Sequence, residues 1–103
     1  MVACTVTDNE ALSRYEITDA SGEMAGFSRY DRRLIDGAEV TVIHHTLVYP
    51  DYQGQGIGSQ LVRGALLDIR HRGGFVVPEC PHVEGWIDRH PDFDDLVVAV
   101  DMD

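Results

Sequence analysis

An α+β domain with a mixed, mostly antiparallel sheet and two helices is what this sequence predicts, on three observations. The first half runs in short β-rich stretches separated by turn signals. The second half changes to an apolar period of three and four residues. The change falls at a glycine-rich loop, Gln53-Gly54-Gln55-Gly56-Ile57-Gly58. A chain of 103 residues is enough for one domain, taken here as 1–103, because two would each be too small to bury a sound core.

Each element has its own signal. Arg14 to Thr18 alternates as a strand, Asp19-Ala20-Ser21-Gly22 follows as a turn, and Glu23 to Tyr30 resumes as a second strand. Alternation sets Met24, Gly26 and Ser28 on one side and Ala25, Phe27 and Arg29 on the other. Asp36-Gly37 predicts a second hairpin turn into a long strand, Glu39 to Tyr49, rich in β-branched and aromatic residues. That strand reads as apolar on both faces near its end, as a central strand would be. Pro50 stops it. Ile57, Leu61, Val62, Ala65, Leu66 and Ile69 then define one broad helical face. Arg70, His71 and Arg72 suit the negative end of that helix, and Gly73-Gly74 end it. Phe75 to Val77 is a short buried strand. Pro81 fits the first position of a second helix, in which Val83, Trp86, Ile87 and His90 share a spacing, and Pro91 ends it. The apolar run Leu96 to Val100 is expected to add an edge strand or to pack on the sheet.

Composition removes several function classes. The formal charge of -10 argues against general nucleic-acid binding, which needs clustered Lys and Arg. An acidic surface fits either solubility or the steering of a basic amine. Two cysteines, Cys4 and Cys80, without a CxxC pair predict free thiols and no zinc site. No apolar run reaches the roughly 18 residues of a membrane span. The first ten residues lack a basic stretch followed by an apolar one, so no signal peptide is expected and a cytoplasmic location is the default.

A strand, a glycine turn and a helix start together make an anion site. The first helical N–H groups have no internal partner, the dipole favours negative charge, and glycines let a phosphate approach the backbone. The same residues would also serve as a plain tight turn. A Walker loop is excluded by the absence of Gly-Lys-Ser or Gly-Lys-Thr. A dinucleotide fingerprint is excluded because its third glycine falls on Ser59, or, one step along, on Leu61.

The pattern Gln53-x-x-Gly56-x-Gly58 resembles the coenzyme A motif of GNAT acyltransferases, including the preceding Leu47-Val48-Tyr49-Pro50 and the following Leu61-Val62. With His45-Thr46, Cys80-Pro81, Val83, Arg89-His90-Pro91 and Phe93, the resemblance runs from about residue 12 to 97. It is to the small single-domain GNAT subgroup, YjdJ-like or N-acetyltransferase-domain-containing-1-like. The resemblance implies a minimal GNAT fold and acetyl-CoA as cosubstrate, with no metal. It implies that the amides of Gln53, Gly54, Gln55, Gly56, Ile57, Gly58 and Ser59 hold the pyrophosphate. The backbone of Leu47, Val48 and Tyr49 would pair with the pantetheine arm, where a bulge splays the long strand from Phe75 to Val77. One departure stands out: the subgroup commonly reads His-Thr-Glu-Val, and here Leu47 replaces the glutamate.

Acyl transfer to an amine needs the amine deprotonated, a donor for the oxyanion and an acid for the leaving thiolate. By resemblance the backbone N–H near Val48 is the oxyanion donor. Cys80, at the cap of the second helix, is a candidate acyl acceptor or leaving-group acid, and equally a small buried hydrophobe. His45 and His90 are the candidate bases, each with a structural alternative. Strand alternation predicts that His44 and His45 face opposite ways, so that only one meets the cofactor. Arg63, Arg70 and Arg72 could meet a 3′-phosphate or form a solvated face. An acceptor side without extra N-terminal helices is expected to be open, suiting a protein amine, a partner protein or a second copy of the chain. Two readings follow: an N-acetyltransferase for an unidentified amine, or an acyl-CoA-binding module or accessory subunit with little or no activity.

Overall fold

Backbone pairing sets the order of the sheet. In the computed structural model, which describes residues 3–99, four strands pair antiparallel in chain order. They are β1 (Thr5–Asn9), β2 (Arg14–Thr18), β3 (Met24–Ile35) and β4 (Ala38–Val48). Helix α1 (Ile57–His71) then crosses over, and β5 (Phe75–Pro78) returns parallel to β4. Helix α2 (Pro81–Asp88) and a 3-10 turn, Pro91–Leu96, follow. The expected α+β architecture is present, with one strand more than the sequence announced. That strand, β1, is Thr-Val-Thr-Asp-Asn, with one apolar residue and no visible period. It exists because β2 offers it a ladder and because Gly64 of α1 lets Val6 settle against the helix. A Cβ added at Gly64 would lie 2.6 Å from that of Val6.

The turns follow their residues. Asp19 Oδ1 accepts from the Ser21 and Glu23 amides and from the Ser21 hydroxyl, which closes the β2–β3 turn. Asp36 (φ 51°) and Gly37 (φ 82°) form the doubly left-handed turn that matches strand twist. Strand β3 outruns the sequence expectation by five residues at its far end, through Asp31-Arg32-Arg33. The reason is Arg32, whose guanidinium donates to Asp8 at 2.9 Å, to the Tyr15 hydroxyl at 2.9 Å and to the Tyr30 hydroxyl at 3.1 Å. A bulge between Ile17 and Thr18 also displaces Ala25, so that Ala25 and Gly26 are both buried and simple alternation fails there.

Helix α1 buries the six predicted residues and no others. It closes with the Gly73 N–H on the Arg70 carbonyl and the Gly74 N–H on the Ile69 carbonyl, a Schellman end. Strand β4 lies between β3 and β5, as a central strand should, but its doubly buried part is Val40 to Ile43 and not its end. His44, His45 and Leu47 are exposed because β5 no longer flanks them. The tail makes a bridge and no strand: Val97 pairs parallel with Val76, and Leu96 is buried. Val100, the end of the predicted run, lies outside the described residues. No helix among the described residues is long and apolar enough to cross a membrane.

Candidate active site

Tyr49 ends the pairing of β4, its amide donating to the Ala25 carbonyl at 2.8 Å, and Pro50–Tyr52 turns the chain into the glycine loop. Gly54 (φ 80°) and Gly56 (φ 75°) are left-handed, and Gly56 caps α1. The first i to i−4 bond of the helix is Gln60 N–H to the Gly56 carbonyl, so the amides of Ile57, Gly58 and Ser59 stand outside the helical ladder. The Gln53 and Gln55 side chains brace the loop itself, donating to the carbonyls of Val48 and Asp51 at 3.2 Å each. Their part in any ligand site is therefore through the backbone. A cavity of about 340 Å³ opens here, bounded among others by Val48, Tyr52, Gly54, Gly56, Gly58 and His82. At Gly58 a Cβ would come within 3.1 Å of the His82 ring, so a larger residue there would push that ring aside by a few tenths of an ångström. No acidic side chain stands in the first turn of α1. The site fits a phosphorylated ligand by shape, by free amides and by dipole.

Side chains fix the rim. The Tyr52 hydroxyl donates to Asp19 Oδ2 at 2.7 Å. Asp19 is held down to about 2, mainly by the Ser21 hydroxyl and then by Tyr52, while that carboxylate pushes Tyr52 up to about 12. Ser59 Oγ accepts from the Trp86 indole at 2.8 Å. Arg63 lies over the Trp86 and Phe93 rings and borders a second cavity with Gln55, Gly56 and Ser59. Arg70 and Arg72 are instead paired with Asp95 and Glu39, at 2.6 and 2.7 Å. Of the three arginines, Arg63 is the one beside the loop. His82 carried no sequence signal, because nothing in its spacing says that the start of α2 lies against the start of α1.

The second half of the site is a gap. Pairing of β4 with β5 runs from Val40↔Phe75 to Ile43↔Pro78 and stops. Pro78 has no N–H to continue it. A bulge also intervenes, since Arg29 faces His45 while Tyr30 faces Ile43, which leaves His44 as the extra residue. The Cys80 amide donates to the Ile43 carbonyl at 3.0 Å and closes the root of the gap. Cys80 is 5% exposed, with Sγ 3.6 Å from Thr46 Oγ1, which shares a 2.7 Å hydrogen bond with Ser28 Oγ. The thiol thus sits on the inner wall of the gap, and both described cysteines are free.

The bulge corrects the histidine expectation. It interrupts alternation, and both His44 and His45 are exposed. His45 is opposite Arg29 in register and shares a strand face with Leu47. His44 Nδ1 meets Glu79 Oε1 at 3.0 Å across the mouth of the gap. His90 takes a packing role. Its ring stacks on Trp86 at 3.8 Å and 11°, and its Nδ1 lies 2.7 Å from the Trp86 carbonyl. Trp86 and Ile87 are core, as their spacing predicted. Among the described residues, no group of three or more His, Cys, Asp and Glu side chains is placed to hold a metal ion.

Known proteins resemble this chain in sequence and in fold. L-amino acid N-acyltransferase MnaT of Escherichia coli (strain K12) is 32% identical over 62 residues, which are 59% of this chain and 36% of that protein. L-methionine sulfoximine/L-methionine sulfone acetyltransferase of Pseudomonas aeruginosa is 36% identical over 70 residues, 64% of this chain and 41% of its own length. The chain therefore spans well under half the length of these curated relatives. A GCN5-like protein of Staphylococcus aureus, solved by NMR, superposes with a TM-score of 0.64. It covers 95% of this chain and 91% of its own at 18% identity, a likeness of fold. The sequence profile of the GCN5-related N-acetyl-transferases matches residues 14–96, and the chain belongs to that family.

Proposed function

We propose that this chain is an acetyl-CoA-dependent N-acetyltransferase for an amine, either a small molecule or a protein lysine. One observation carries the reading: the glycine cradle at the start of α1 and the unpaired edge of β4 after Ile43 lie end to end, joined at Val48. Acetyl-CoA would supply an activated acyl group. The chain's own residues bind and orient. The amides from Gly54 to Ser59 would hold the pyrophosphate, with His82 at the rim, whereas the Gln53 amide is taken by the Pro50 carbonyl at 3.3 Å. The backbone of Leu47, Val48 and Tyr49, free of β5, would align the pantetheine arm and offer a donor where negative charge develops. Cys80, on the inner wall, would receive an acyl group or protonate a leaving sulfur. By their names, the two curated relatives act on L-amino acids and on L-methionine sulfoximine or sulfone. Amino-acid α-amines therefore head the substrate panel, followed by lysine peptides.

The test is thiol release from acetyl-CoA over that panel, with calorimetry of coenzyme A on the same protein. Expected are binding, release with at least one amine, and loss of uptake in Gly56→Asp, which sets a carboxylate at the cradle. Cys80→Ala with unchanged turnover would dismiss the thiol from the chemistry. The second reading, a coenzyme A-binding accessory module, is favoured by the exposed Leu47, which stands where the resemblance to the small single-domain subgroup implies a glutamate. Uptake without release for every amine would support it.

A further inference from the structure

We infer that His44, oriented by Glu79, is the base that takes the proton from the acceptor amine. The assignment rests on the acetyltransferase reading above and deepens it. Four observations converge. The bulge takes His44 out of strand alternation at the residue where β5 parts from β4. Its Nδ1 lies 3.0 Å from Glu79 Oε1. The two residues are tied at their roots, because the Cys80 amide donates to the Ile43 carbonyl and so fixes each partner's chain neighbour. Their side chains are 39% and 44% exposed, open to a substrate arriving from solvent.

The geometry sets the tautomer. A carboxylate can only accept, so the bond places the proton on Nδ1 and leaves the Nε2 lone pair free. This is the division of labour that a base needs: one nitrogen held by a carboxylate, the other turned to the substrate. Leu47 offers no carboxylate in this gap, and His45 stands opposite the Arg29 cation in register. In the step, an N–H bond of the ammonium breaks and its proton passes to His44 Nε2. The freed nitrogen lone pair forms the C–N bond to the acyl carbon, and the C–S bond breaks with its electron pair on sulfur. The imidazolium proton goes to that sulfur, and the second ammonium proton goes to water. His44 is thus a catalytic residue and Glu79 a positioning residue.

The test uses the full chain and two readouts. Nitrogen-15 NMR of the histidine rings, without any ligand, is expected to show His44 as the Nδ1–H tautomer, shifting toward Nε2–H in Glu79→Gln. Steady-state kinetics should show His44→Gln losing about 10²-fold or more in kcat, the usual worth of a positioned base. Its coenzyme A affinity, measured by calorimetry, should stay within about twofold, which also reports that the variant folds. Glu79→Gln should lose about tenfold in kcat with little change in KM. A wild-type Nε2–H tautomer, or His44→Gln turning over at the wild-type rate, would overturn the assignment and leave the acetyltransferase reading intact. A wild-type chain that binds coenzyme A and acylates no amine would overturn both.

Discussion

Asp19 and Tyr52 carry the β2–β3 turn to the rim of the cradle through one hydrogen bond. The pH dependence follows from the direction of each shift. Asp19 is depressed in the folded state, so its contribution is present above the ordinary carboxylate range. That contribution is lost as the pH falls from about 4 toward about 2. Tyr52 is raised, so its contribution is full below about 10 and is lost as the pH rises through about 12. Asp19→Asn is expected to flatten the acid limb of stability between pH 4 and 2, read from urea midpoints. An unchanged limb would mean that other carboxylates set it. Asp19 was legible as a turn residue, but its bond to Tyr52, 33 positions away, was not. The same limit applies to His44. The sequence shows two adjacent histidines in a strand, and only the paired register shows that one of them is surplus to the ladder.

Elements depend on close approach and on one buried ion network. A Cβ at Gly26 of β3 would run into the Leu47 carbonyl oxygen of β4, beside the gap. Gly26→Ala is expected to cost about 1–3 kcal/mol, from forced backbone movement, and to weaken coenzyme A uptake. Arg32 offers a sharper contrast with its neighbour. Its side chain and that of Asp8 are 13% and 12% exposed, and the pair anchors β1 to β3. Arg32→Met should cost about 2 kcal/mol, because the largely buried Asp8 carboxylate loses its guanidinium partner and keeps only the Tyr30 hydroxyl and Arg72 at 3.7 Å. Arg33, in an exposed pair with Asp31, should lose less than about 1 kcal/mol on the same change. Equal losses in chemical denaturation would contradict the account. Helix α1 was readable because its apolar face and glycine stop are local, although Arg72, expected in the last turn, is the cap that follows His71. Strand β1 and the extension of β3 were not, because partners distant in sequence hold them in place.

For the molecule as a whole, a ligand taken only by the folded state adds stability by mass action. Coenzyme A at 100 times its dissociation constant should add roughly 2.7 kcal/mol and raise Tm by several degrees or more. Gly56→Asp should abolish that shift, and a wild-type chain with no shift would remove the cradle from the proposed function. The formal charge of -10 gives a second expectation. If the acidic surface steers a cationic amine, kcat/KM should fall as salt rises, whereas mere solvation would leave it flat.

By itself the sequence determined the α+β class, the order of elements from Arg14 onward, the glycine loop, the buried face of α1 and the capped start of α2. All of these rest on contacts within a few residues. Only the tertiary structure decided which side chains share the gap. The parting of β4 from β5, the bulge at His44, its bond to Glu79 and the approach of His82 to Gly58 depend on register and packing between distant segments. Local propensity and spacing do not encode that information one residue at a time.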